Sequence, residues 1–321
     1  MSNLKKIKHW NMDKLVSINA DFNLIYGERS NGKSYQVKHK RAVEKFLNTG
    51  KRFILIRRWK EEITTEKIEA YFADVDVAKL TNNEYNCIIM YLKRLYLANY
   101  NVENGKTKRG SHIGYVVALS TEQNYAGASY LDVEDIIFEE FMSRSTYLSH
   151  EADKLMNFYC TVDRKRGTTK LWLIGNTISR VCPYIADWDL HSIVVSQKQG
   201  TIITKEINST DDDIVKIAIE YCENTGVSSH TIGKNKKMLN SGSWQTDPQP
   251  HLPKSKKNYN IAYRIMFQYK QFSYLADFLI DKENSRNYCW FIYPYNKDPD
   301  KKTIVITDKV NISKQYQRDI Y

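Results

Sequence analysis

Gly27-Glu28-Arg29-Ser30-Asn31-Gly32-Lys33-Ser34 is the stretch that decides the fold of this 321-residue chain. It has the full Gly-x-x-x-x-Gly-Lys-Ser pattern of a phosphate-binding loop. The apolar run Phe22-Asn23-Leu24-Ile25-Tyr26 leads into it. Lys33 to Asn48 holds no Gly or Pro and reads as the following helix, closed by Gly50 at its C-cap. Strand, loop and helix in that order turn backbone N–H groups toward phosphate oxygens at the positive end of the helix. Gly27, Glu28, Arg29, Ser30, Asn31, Gly32, Lys33, Ser34 and the flanking Tyr35 are therefore expected to line a nucleotide site. Lys33 should reach the β- and γ-phosphates, and the Ser34 hydroxyl should ligate Mg²⁺.

Downstream, Asp135-Ile136-Ile137-Phe138-Glu139-Glu140 is an apolar strand ending in two carboxylates. If that strand lies beside the loop strand, Glu139 faces the metal and Glu140 faces an attacking water. Glu139 stands where an Asp is usual. The second carboxylate points to ATPases that polarise water with a glutamate, so ATP and Mg²⁺ are the expected cofactors. Leu171 to Asn176 is the next strand, and Asn176 at its end reads either as a γ-phosphate sensor or as a plain strand end. Asp163-Arg164-Lys165-Arg166 closes a helical stretch starting near Tyr147; it is either a solvated helix end or the site of an arginine finger.

The rest of the chain alternates strand and helix and then changes character. Arg52 to Arg58 is a buried strand with a basic end, and Arg57, Arg58 and Lys60 read as a solvated edge or as contacts to a neighbour's nucleotide or to DNA. Cys87 to Tyr100 and His112 to Leu119 flank a turn at 101–110 that carries Lys106, Lys108 and Arg109. Asp211 to Glu223 reads as a helix with Ser209 or Thr210 as N-cap. The fold expected is an α/β P-loop domain over 1–208 with a mostly parallel sheet, a helical and polar linker over 209–255, and a small β-rich domain over 256–321.

The net charge of +11 favours a polyanionic partner, nucleic acid first. Lys106, Lys108 and Arg109, with Lys236 and Lys237 in the polar stretch, are the candidate phosphate-backbone contacts. No apolar run approaches the length of a membrane span, and no secretory signal is read at the N-terminus. The five scattered cysteines show no metal or redox spacing, and the seven histidines no ligand grouping, which fits a cytoplasmic protein with reduced thiols. In the tail, the strand from Tyr263 to Tyr269 offers no carboxylate, although Asp277, Asp281, Asp298 and Asp300 lie nearby in sequence. This speaks against a two-metal nuclease.

Taken together, Ile25 to Tyr35, Phe53 to Lys60, Ile136 to Phe141 and Thr161 to Asn176 resemble the DNA-packaging ATPases of small podoviruses, the Picovirinae type. The spacing from Arg164 to Asn176 fits that family's finger arginine and sensor asparagine. The resemblance implies the additional-strand, glutamate-using branch of P-loop ATPases. It also implies a homomeric ring, pentameric in the family, that docks on the portal vertex of an empty capsid and moves double-stranded DNA. The implied location is the host cytoplasm and, transiently, the procapsid. A tail shaped like an RNase H-type nuclease without its carboxylates is implied as well, and in some relatives a packaging RNA. Two other functions fit the residues alone: a P-loop kinase for a small substrate, and a nucleic-acid-binding assembly subunit that holds ATP as a structural ligand.

Overall fold

A computed structural model describes residues 9–143, 146–210, 213–225, 241–244, 258–269, 272–300 and 303–307. It divides into two compact units, Met1–Thr246 and Asp247–Tyr321.

In the first unit, α1 (Asp13–Ile18) precedes β1 (Phe22–Gly27), the loop, and a continuous helical run of α2 (Lys33–Val37), a π-helical stretch (Lys38–Glu44) and α3 (Lys45–Thr49). Gly50 caps that run in the left-handed region, as expected. Then come β2 (Arg52–Arg57), α4 (Thr65–Phe72), α5 (Val77–Leu80), β3 (Cys87–Tyr91), β4 (Arg94–Asn101) and β5 (Lys106–Ala118). After these follow β6 (Val133–Glu139), α6 (Glu151–Asp163), β7 (Lys170–Asn176), α7 (Pro183–Asp187), α8 (His191–Ser196), β8 (Thr201–Thr210) and β9 (Asp213–Tyr221).

These strands form one sheet in the order β3-β4-β5-β2-β6-β7-β1-β9-β8. The central six, β5 through β9, run parallel, while β4 and β8 run against them. A parallel sheet must be covered on both faces, and alternate side chains of β1 do this. Leu24 and Tyr26 enter one core with α6 and α7, and Ile25 enters the other with the helices after the loop.

Three expectations are corrected here. First, the strand carrying Glu139 is not beside the loop strand: β7 lies between β1 and β6. Second, the segment read as a helix over 211–223 is the strand β9, paired with β1 on its free side. Its residues alternate between the two cores, Ile217, Ile219 and Tyr221 in one and Ala218 and Cys222 in the other. Sheet pairing and β-branched side chains outweigh the aspartate-rich start that suggested a helix. The sheet therefore continues past residue 208, and the first unit runs on to Thr246. Third, the turn after β4 is short, spanning 102–105. The Asn101 and Asn104 side chains close it by accepting from the backbone of Glu103 and Lys106 at 2.8 and 3.0 Å. Lys106, Lys108 and Arg109 thus belong to strand β5, paired with Asn101, Asn99 and Ala98.

In the second unit β10 (Tyr259–Tyr269), β11 (Phe272–Asp281), β12 (Tyr288–Pro294) and β13 (Ile304–Thr307) form a sheet in the order β12-β11-β10-β13. The first three are antiparallel, and β13 runs parallel to β10. Asp277 is fully buried in this sheet, where Arg264 Nε donates to it at 2.7 Å and the Tyr293 hydroxyl at 3.2 Å.

Candidate nucleotide site

The loop leaves the carboxyl end of β1, the end of a parallel sheet where ligands bind. Gly32 has φ 96°, a left-handed turn open to glycine, and from there Lys33 begins α2. A cavity of about 710 Å³ opens here, lined by the loop residues Arg29 to Gln36 together with His9, Asp74, Glu139, Glu140 and Asn176. Asn176 pairs in register with Gly27, which puts it at the mouth of the loop.

Within the cavity Lys33, Ser34 and Glu139 are held by hydrogen bonds. The Lys33 ammonium is buried and donates to the Glu28 carbonyl at 2.5 Å and to Asn31 Oδ1 at 3.0 Å. Burial lowers its pKa from the usual lysine value. Ser34 Oγ donates to Glu139 Oε2 at 3.2 Å, so the two residues expected at a metal are adjacent although β1 and β6 are not neighbours. The other oxygen of Glu139 accepts from the Tyr71 hydroxyl at 2.6 Å. Burial pushes the Glu139 carboxyl up, against the Tyr71 and Ser34 hydrogen bonds and the charges of Arg57 and Lys38. Burial also raises Tyr71 well above its usual value, which keeps the phenol a neutral donor. Tyr71 in turn lies 4.5 Å beneath the Lys38 ammonium, and Lys38 is paired with Asp74.

A serine hydroxyl and a carboxylate are hard oxygen donors. Together they leave most positions of a magnesium ion to phosphate and water, which is how that ion is usually held by proteins. The donor set therefore fits Mg²⁺.

Glu140 follows β6 with φ 58°, and its side chain is exposed toward the cavity. Arg57 Nη2 lies 3.6 Å from Glu140 Oε2, and Arg57 Nε donates to Glu62 at 3.1 Å. Arg58 is buried, with its Nε and Nη2 on Glu151 at 2.8 and 3.0 Å. Its Nη1 and Nη2 also donate to the Glu140 and Phe141 carbonyls at 3.0 and 2.8 Å. This corrects the reading of Arg58 as an outward contact. Glu151 takes a further bond from the Tyr184 hydroxyl at 2.7 Å.

Arg164 is not in this cavity. It is the exposed C-cap of α6, with Nη2 on the Ala128 carbonyl at 2.9 Å. Its neighbour Arg166 donates to the carbonyls of Tyr130, Leu131 and Val133, where β6 begins. Arg164 therefore lies at the amino end of β6 and Glu139 at the carboxyl end, roughly 20 Å along the strand.

Of the basic candidates, Lys106, Lys108 and Arg109 are exposed, and Arg109 lies over the rings of Tyr91 and Tyr96 at 4.6 and 4.9 Å. Lys236 and Lys237 fall outside the described residues. Among the described residues no helix is long and apolar enough to cross a membrane.

Residues 4–218, the stretch that contains the loop and nearly all of the nine-stranded sheet, match the podovirus DNA encapsidation protein (Gp16) family. The chain belongs to that family. The resemblance read from its motifs is thereby borne out. Among its relatives is the DNA packaging protein of Bacillus phage phi29, 28% identical over 217 residues, 67% of this chain and 57% of that one. The DNA packaging protein of Bacillus phage B103 is 29% identical over 179 residues, covering 55% and 50%. The aligned part is thus about half the length of these relatives. A solved chain of the bacteriophage Phi-29 viral genome packaging motor assembly aligns over 94% of this chain and 88% of its own, at a TM-score of 0.53 and 23% identity. That likeness is one of fold.

Tyr71, Arg57 as a partner of Glu140, and His9 at the cavity wall were not legible as site residues. Tyr71 on α4 and Arg57 at the end of β2 reach the site through the sheet order, and His9 through the Trp10 N–H, which donates to the Asn31 carbonyl at 2.8 Å.

Proposed function

We propose that the chain is the ATP-hydrolysing subunit of a homomeric ring motor that moves double-stranded DNA into a preformed capsid. What carries the reading is the convergence of Lys33, the Ser34–Glu139 pair and Glu140 at one end of β1, in a member of a DNA encapsidation family. The strand β7 between β1 and β6 supports assignment to the additional-strand, glutamate-using branch. In the second unit, three antiparallel strands with a fourth parallel to the first support the nuclease-shaped tail, and the Arg264–Asp277 pair supports its being inactive.

In this mechanism the loop N–H groups and Lys33 bind the β- and γ-phosphates, replacing the Glu28 and Asn31 acceptors that hold the ammonium. Ser34 and Glu139 would hold Mg²⁺, which when bound offsets charge on the phosphate oxygens. Glu140 takes the proton of the attacking water, and its ion pair with Arg57 positions it beside the cavity. Asn176 senses the γ-phosphate. Arg164 serves a neighbour's site, since its place at the far end of the sheet keeps it from its own. The ring, its five-fold count, the portal vertex and a packaging RNA come from the family. So does the setting, in the host cytoplasm and on the procapsid. Lys106, Lys108 and Arg109 are the proposed DNA contacts, together with Lys236 and Lys237.

Steady-state ATP hydrolysis at low salt, with and without double-stranded DNA, tests the reading. DNA should stimulate the wild type, and Glu140→Gln should bind ATP while turning over about 10²–10⁴ times more slowly. ATP bound without turnover under every condition, portal and DNA included, would leave it a structural ligand.

A further inference from the structure

After β9 the chain comes back to the rear of the phosphate loop. Gly242 has φ 64°, and a Cβ added there would fall 2.5 Å from the backbone nitrogen of Glu28, the second loop residue. Only glycine permits that approach. The Gly242 carbonyl accepts from the Thr177 hydroxyl at 2.8 Å and the Tyr221 hydroxyl at 2.7 Å, and Thr177 Oγ1 also reaches the Ser243 carbonyl at 3.2 Å. Thr177 follows Asn176, and its own N–H donates to the Gly27 carbonyl at 3.2 Å. Trp244 packs on Tyr26 with ring centroids 5.3 Å apart, and the Arg180 guanidinium lies 5.1 Å from its ring. Gln199 donates to the Ser241 carbonyl at 2.8 Å. Residues 241–244 do not line the nucleotide cavity; they touch the groups just behind it.

We infer that Ser241–Trp244 is a clip that positions the phosphate loop, with Gly242 as its positioning residue, and that nucleotide binding alters how firmly the clip is held. The inference rests on the reading of the cavity as an ATP site. A loop whose N–H groups must all face phosphate is preorganised only when its outer side is fixed. Here a backbone at contact distance fixes it, and Thr177 and Tyr221 fix that backbone. Between Glu28 and Gly242 there is no room for even a methyl group. A phosphate that draws the loop inward changes the contact, and Thr177 ties the same contact to the strand end that carries Asn176.

The test uses the full chain and two readouts. The first is affinity for a fluorescent, non-hydrolysable ATP analogue. Gly242→Ala should weaken binding about 10-fold or more, because small misplacements of positioning groups are costly. Tyr221→Phe, which deletes one hydrogen bond, should weaken it about 3- to 10-fold. Thr177→Val should resemble Tyr221→Phe, and Thr177→Ser should restore wild-type affinity. The second readout is backbone hydrogen exchange at 241–244, which the analogue should slow in the wild type and leave unchanged in Lys33→Ala. If the wild type binds the analogue, but Gly242→Ala and Tyr221→Phe bind equally well and exchange is unaltered, the clip is refuted and the nucleotide site stands. If the wild type binds no nucleotide, both fall. Should Gly242→Ala fail to fold, Tyr221→Phe and the exchange measurement decide.

Discussion

Glu139 and Arg164, near opposite ends of β6, are held differently. At the carboxyl ends of β1 and β6 three buried charged side chains are held, Lys33 by loop acceptors, Glu139 by Ser34 and Tyr71, and Glu28 by the Thr225 N–H at 2.6 Å. At the amino ends, Arg164 projects from α6 into solvent with one carbonyl bond, while Arg166 beside it spends its donors on backbone. A group fixed in advance costs no reorganisation when charge develops. An exposed guanidinium keeps its charge for a partner. Under the proposed function, this contrast assigns the Glu139 end to a chain's own nucleotide and the Arg164 end to a neighbour's.

The largest effect should come from breaking that division of labour. Arg164→Ala should lower turnover of the assembled, DNA-stimulated protein by about 10³ or more while leaving nucleotide affinity within about two-fold. Mixed with wild type, it should depress activity more than in proportion. Strict proportionality on mixing would place Arg164 in its own subunit's chemistry or outside it altogether.

The held end can be loosened in steps. Arg58→Ala leaves Glu151 buried without its cation and frees the Glu140 and Phe141 carbonyls. Breaking such a pair should cost about 3–5 kcal/mol of stability in thermal or urea denaturation. A loss under about 1 kcal/mol would mean that the Leu148 N–H and the Tyr184 hydroxyl suffice to hold Glu151. Tyr71→Phe removes the donor that orients Glu139 and should raise the Mg²⁺ concentration needed for half-maximal hydrolysis about 10- to 100-fold. An unchanged Mg²⁺ requirement would remove Tyr71 from the site.

The smallest effect lies one strand away. Glu220 on β9 is buried and accepts from the Trp10 indole at 2.6 Å, and burial pushes its carboxyl up to about 7. The native state holds this proton to a higher pH than the unfolded chain does. The stability that this group contributes should therefore be fullest below about pH 4.5 and be lost as pH rises through about 7. Glu220→Gln should flatten that slope and stabilise the protein at pH 8 by about 1–3 kcal/mol relative to wild type. A slope that survives the substitution would assign it to another group.

Local readings held where a short run of sequence fixes local geometry. The loop at 27–34, the helical run from Lys33 to Gly50 and the strands ending in Glu139 and Asn176 were all legible, because glycine spacing and apolar runs act over a few residues. The tail strands were legible for the same reason, in aromatic and β-branched runs.

Only the tertiary structure decided which of these pieces meet. It inserted β7 between the two motif strands and turned residues 213–221 from an expected helix into the strand flanking β1. It drew Arg58 inward onto Glu151 and moved Lys106, Lys108 and Arg109 from a turn onto a strand. It also separated Arg164 from the site by the length of the sheet and set Gly242 against Glu28. The physical reason is common to all of them. Motifs specify backbone conformation and chemistry locally, whereas strand order and burial are settled by long-range pairing and by the need to satisfy every buried polar group, which no window of sequence contains.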